Sequence, residues 1–158
     1  MRAAGAALIL LGGAWAFLCF SRSVRREQAL LQDVIAALEQ LAGEVRWKNL
    51  PLPEGIEGLA RRRISGAYFR EIGEMMKRNM TLQEAWEKAF DRFPGEEGEI
   101  LRRLELGGDA RQVQGALGRC AEALRAVFTA RRESLAQRMK LCAAGLLSAA
   151  GLLVVILA

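Results

Sequence analysis

The chain has 158 residues, 23 basic against 18 acidic side chains, no histidine, three cysteines and three prolines, with a formal charge of +5. The missing histidine removes the commonest general base and the commonest metal ligand. The mild basic surplus, with no dense stripe interleaved with aromatics, speaks against a nucleic-acid partner.

From the N-terminus, Ala3 to Phe20 form an apolar run of 18 residues without a charge. As a helix it extends about 27 Å, close to the hydrocarbon thickness of a bilayer. A cleaved signal peptide is the competing reading. The run is long for one, and CFSRS at its end offers no small-x-small site. Residues 1–21 are therefore assigned to a first transmembrane helix. Arg22, Arg25 and Arg26 follow it, juxtamembrane anchors that also signal topology.

Ser23 to Trp47 continue as a helix. Val24, Leu31, Leu38 and Val45 recur every seven residues, with Val34 and Leu41 between them, as in a coiled-coil seam. Asn49 to Pro53 (NLPLP) end that helix, because a residue preceding proline is driven out of helical conformation. Pro53 suits the first turn of a second helix, with Glu54 and Glu57 at its start and Arg61, Arg62 and Arg63 at its end, the charge order that the helix dipole favours. A third helix is predicted over Ser65 to Arg78, with Ile64, Tyr68, Ile72, Met75 and Met76 on one face.

Thr81-Leu82-Gln83-Glu84 is a capping box, and Leu82, Ala85, Trp86, Ala89 and Phe90 supply the apolar face of a fourth helix. Phe93-Pro94-Gly95 stops it. Glu96 to Leu106 give a fifth helix, with Ile100, Leu101 and Leu104 apolar. Gly107-Gly108-Asp109 then ends that helix and caps the sixth. From Ala110 no proline interrupts the chain. Val113, Leu117, Cys120, Leu124 and Val127 keep spacings of three and four, and Cys120 on this stripe is expected in the core.

Past Arg131, Arg132, Arg138 and Lys140, residues 141–158 form a second uncharged run, assigned to a second transmembrane helix. Residues 22–140 are then a helical domain between two spans. Basic residues flank the inner end of each run, so by the positive-inside rule that domain is cytoplasmic and both termini lie outside. Cys19 and Cys142 fall at the cytoplasmic ends of the spans, where reduced thiols are the default. The fold class is all-α: a six-helix antiparallel bundle between N-terminal and C-terminal transmembrane helices. Its first and last helices form a stem, since both enter and leave at one membrane.

No catalytic, cofactor-binding or metal-binding set emerges, and the chain is not expected to be an enzyme. There is no P-loop, and Glu96, Glu97 and Glu99 sit where a helix N-terminus favours acids. The alternative of an unrecognised carboxylate enzyme rests on those three residues. Candidate partner-binding residues, chosen by expected exposure, are Arg61, Arg62, Arg63, Arg102 and Arg103. Candidate transmembrane packing residues are Ala144, Gly145, Ser148 and Ala149, small side chains at spacings that let backbones approach closely.

Several stretches together resemble the stage III sporulation protein AB family. They are Leu38 to Glu44 with Pro51-Leu52-Pro53, Trp47 and the NLPLPEGIEGLA segment, Glu84-Ala85-Trp86 within TLQEAWEKAF, and the late Gly-Asp break before the long last helix. That family is in turn similar to the six-helix cytoplasmic domains of type II secretion and type IV pilus platform proteins. The resemblance implies a mother-cell membrane component of the channel joining mother cell and forespore, in the outer forespore membrane. It implies as partners the secretion-type cytoplasmic ATPase and other channel proteins. Platform proteins carry two such bundles and this chain one, so a two-bundle function calls for homo-oligomers. The competing readings are a pore-lining transport subunit, which the apolar spans disfavour, and a passive assembly scaffold.

Overall fold

The computed structural model describes the backbone of residues 2–48 and 50–157, and the side chains of these except at 2–11, 14, 16, 17, 48, 138–144 and 146–157. The described residues form six helices and no strand: α1 (Arg2–Lys48), α2 (Leu52–Leu59), α3 (Gly66–Lys77), α4 (Leu82–Phe90), α5 (Glu96–Arg102) and α6 (Ala110–Leu157). Met1–Leu124 make one compact unit and Arg125–Ala158 a second. Among the described residues no helix is long and apolar enough to cross a membrane. The two runs assigned to spans, 3–20 and 141–158, lie mostly on side chains outside the described ones.

The heptad seam of α1 is buried where it meets the bundle: Leu31, Val34, Leu38, Leu41 and Val45 are all inside, with Ile35 buried beside them. Pro51 (φ −58°, ψ 136°) is extended, and its carbonyl accepts from the Glu54 and Gly55 amides to start α2. The second helix is shorter than its charge order suggests. It ends at Leu59, so the arginine triplet lies in the α2–α3 turn rather than on the helix. There the Arg61 and Arg62 amides donate to the Gly58 and Leu59 carbonyls at 3.4 and 3.0 Å.

The predicted apolar face of α3 needs correcting. Ile64 precedes the helix and is 47% exposed, whereas Phe69 is fully buried beside Ile72. Asn79 ends α3 in the left-handed region (φ 64°). Its amide donates to Met76, and the Met80 amide to Met75, the paired bonds of a Schellman cap, for which asparagine substitutes for the usual glycine. The capping box of α4 is present in full: Glu84 N–H donates to Thr81 Oγ1, and Thr81 N–H to Glu84 Oε2. Gly95 (φ 81°) and Gly108 (φ 110°) stand at the two predicted breaks. The fifth helix stops at Arg102, sooner than its apolar pattern implies, and Asp109 Oδ1 caps α6 by accepting from the Gln112 amide at 2.7 Å.

The core is aromatic at its centre. Trp86 and Phe90 of α4 lie 4.7 Å apart between ring centroids, and both face Phe69 of α3. Tyr68 stacks on Phe90 at 5.3 Å. The indole N–H of Trp86 donates to the Leu101 carbonyl at 2.8 Å, satisfying the one polar atom of a fully buried side chain. Gln83 holds the segment after α5 on both sides: its amide nitrogen donates to Leu104 O and its oxygen accepts from Leu106 N. The first half of α6 closes the core with Val113, Leu117, Cys120, Ala121 and Leu124. Val45 at the end of α1 and Ala110 and Val113 at the start of α6 line one apolar cleft of about 260 Å³ with Leu50, Leu52 and Leu106. The C-terminal end of α1 and the beginning of α6 therefore lie at the same end of the bundle.

Candidate partner surface

The α2–α3 turn is held by one carboxylate. Asp33 projects from the middle of α1, on the flank of the buried seam. Its Oδ1 accepts from Arg62 Nη2 at 2.7 Å and from Arg62 Nε at 3.2 Å. Its Oδ2 accepts from the Ser65 amide at 2.9 Å and from the Ser65 hydroxyl at 2.6 Å. The third nitrogen of Arg62, Nη1, donates to Gln40 Oε1 at 3.0 Å, and Gln40 in turn donates to Glu44. Partial burial pushes the Asp33 carboxyl up; the hydrogen bonds from Arg62 and Ser65 and the Arg62 charge outweigh it and hold the group below its ordinary value.

The three arginines predicted as a set are thus divided. Arg62 is half-buried and committed to Asp33, while Arg61 and Arg63 on either side are exposed. A triplet read from sequence looks uniform. The division comes from a turn whose middle residue points back at α1. No local signal marks Asp33 as its acceptor, because the two residues are 29 positions apart.

Arg102 and Arg103 lie at the end of α5. Arg102 Nη1 donates to Asp91 at 2.9 Å, and Arg103 approaches Glu99 at 3.6 Å. Both pairs are largely solvent-exposed, where such contacts contribute little to stability. They border an open groove of about 730 Å³ between α4 and α5, shared with Met80, Glu84, Glu87 and Lys88. That groove mixes both signs of charge and presents no field of one polarity.

Of the packing residues proposed for the last run, Ala144, Ser148 and Ala149 have side chains outside the described residues. Gly145 is exposed, with open space where a Cβ would stand. Glu96 and Glu99 are exposed at the start of α5, and Glu97 is buried with a partner inside the chain. Among the described residues, no group of three or more cysteine, aspartate or glutamate side chains is arranged to hold a metal ion. Cys19 is exposed. Cys120 is buried, its thiol pushed up to about 11 by desolvation.

A family model described as stage III sporulation protein AB matches residues 2–158. The chain matches no curated protein and no solved structure.

Proposed function

The chain belongs to the stage III sporulation protein AB family, with the role in sporulation that this implies, and from that premise we propose that it is a membrane-anchored, non-catalytic adaptor of the mother cell–forespore channel. The family match over almost the whole chain carries this reading. In it, the uncharged runs at 3–20 and 141–158 are two spans, and the bundle lies on the mother-cell side with the termini across the membrane. Support for the spans comes from hydropathy and from the basic residues at the inner end of each run.

The bundle couples a secretion-type cytoplasmic ATPase to membrane-embedded channel subunits. Its interior is filled by apolar side chains, and among the described residues no buried side-chain nitrogen or oxygen lacks a hydrogen-bond partner. What remains for function is the outer surface. Affinity purification of the full chain from sporulating cells, after in-cell crosslinking, tests the coupling. Recovery of the ATPase supports it, and its absence while other channel subunits are recovered overturns the ATPase part.

A further inference from the structure

We propose that the α2–α3 turn is a preformed knob that docks on an acidic protein surface containing an apolar pocket. Ile64 is the anchor, and Arg61, Arg63 and Arg70 are its charged flanks. The proposal deepens the adaptor reading by naming the contact and the chemistry of its partner.

Three observations meet at this turn. The first is the exposed isoleucine. Among the described residues beyond the N-terminal apolar run, only Trp47 and Ile64 are large, apolar and exposed. Trp47 carries the guanidinium of Arg46 over its ring at 4.6 Å, and Ile64 is 47% exposed beside the arginines of the turn. An isolated exposed apolar side chain is ordinary on a protein surface; its setting here is not.

The second observation is charge. Arg61 and Arg63 stand on either side of Arg62, directly before Ile64, and are exposed; among the described residues neither guanidinium has an ion pair or a hydrogen bond. Arg70, one turn into α3, reaches back to the Ala60 carbonyl at 3.4 Å and adds a third positive charge to the same corner. Arg62 and Asp33 neutralise each other, which leaves Arg61 and Arg63 as the net charge of the turn itself, with Arg70 beside it. The basic pair at Arg102 and Arg103 differs in having its acids beside it.

The third is rigidity. Four hydrogen bonds fix the two ends of the segment 62–65 to one carboxylate on α1. Gly66 brings the chain close behind the turn: a Cβ there would stand 2.8 Å from the Ala60 carbonyl oxygen. A loop already ordered in its presented form gives up little conformational entropy on binding. Asp33 is thus a positioning residue, acting through the turn and never touching the partner.

A lipid surface is disfavoured as the target. Asp33 lies thirteen residues beyond Phe20 along α1, about 20 Å of helix axis from the first apolar run. One isoleucine and three arginines also fit a single pocket with acidic edges better than a uniform plane of headgroups.

The test places photoreactive benzoylphenylalanine at position 64 of the full chain in sporulating cells, with the same residue at exposed position 74 as control. The expected result is a crosslink from position 64 into an acidic segment of another protein, located by peptide mapping. The double reversal Arg61→Glu with Arg63→Glu should lower its yield by about tenfold, as juxtaposed like charges do. Arg61→Lys with Arg63→Lys should retain it. Asp33→Ala should lower the yield while crosslinking from position 74 stays unchanged. Because Arg61 and Arg63 are exposed and unpaired, the reversal should leave the melting curve of the purified chain unaltered. A crosslink to lipid, no product at position 64, or a yield indifferent to charge reversal overturns the proposal. The two readings fail separately. A position-64 product that is not the ATPase refutes ATPase coupling through this turn and keeps the knob. Undiminished ATPase recovery with the reversed variant, together with an undiminished position-64 crosslink, refutes the knob and keeps the coupling.

Discussion

Asp33 shows how much one side chain can organise without belonging to the core. Replacing it by alanine leaves Arg62 half-buried and the Ser65 amide and hydroxyl without their acceptor. The expected loss is about 1–3 kcal/mol, read as a lower melting temperature. The same contact gives an acid-side dependence. The folded carboxyl titrates below its unpaired value of 3.8, so its stabilisation is complete above that pH and disappears as pH falls through the folded value. Wild type should therefore lose stability in that range more steeply than Asp33→Asn, as melts between pH 5 and pH 2 would show. None of this is legible in sequence, since a single aspartate on a helix flank looks like any solvated charge. Ile64 departs from the helical pattern for a related reason. Helical spacing assigns it to the face of α3, but the helix starts two residues later, and Phe69 takes the buried place.

Helix boundaries divide into those written locally and those set by distant contacts. The capping box at Thr81, the glycine after Pro94 and the Gly-Asp pair at 108–109 are local chemistry, and each falls where the sequence puts it. The ends of α2 and α5 are not. Just past α2, Arg62 and Ser65 are held by Asp33 of α1, and just past α5, Leu104 and Leu106 are held by the side chain of Gln83. The α4–α5 turn carries a steric requirement of its own. A Cβ at Gly98 would stand 2.5 Å from the Phe93 carbonyl oxygen, which is backbone and cannot swing aside. Gly98→Ala should cost about 1–3 kcal/mol, while Gly73→Ala, with open space around it on α3, should be neutral or slightly stabilising. Chemical denaturation of the two variants side by side separates the steric effect from ordinary helix propensity.

At the scale of the molecule, the six-helix count and the placement of α1's end beside α6's start were both legible, because they follow from breaks and from two long helices sharing one bundle. Membrane insertion rests on sequence, and it has a direct check. If the runs at 3–20 and 141–158 are spans, carbonate extraction at high pH should leave the full chain in the membrane pellet, and only detergent should release it. Release by carbonate alone would reduce both runs to soluble helix. Replacing Gly145 and Ala149 by leucine is the finer test. Reduced assembly of the channel, with insertion intact, would assign the small-residue face to packing, and unchanged assembly would leave that stretch an anchor.

The buried indole of Trp86 has an optical consequence. The chain has three tryptophans, and Trp15 and Trp47 are 72% and 76% exposed whereas Trp86 has no contact with solvent. With Trp15 and Trp47 changed to phenylalanine, all emission comes from a ring packed on Phe69 and Phe90 and hydrogen-bonded to Leu101. Its spectrum should lie well to the blue of free tryptophan and resist quenching by iodide. A red shift on denaturation would then report separation of α3, α4 and α5, and the fold would carry its own gauge of core integrity without an added label.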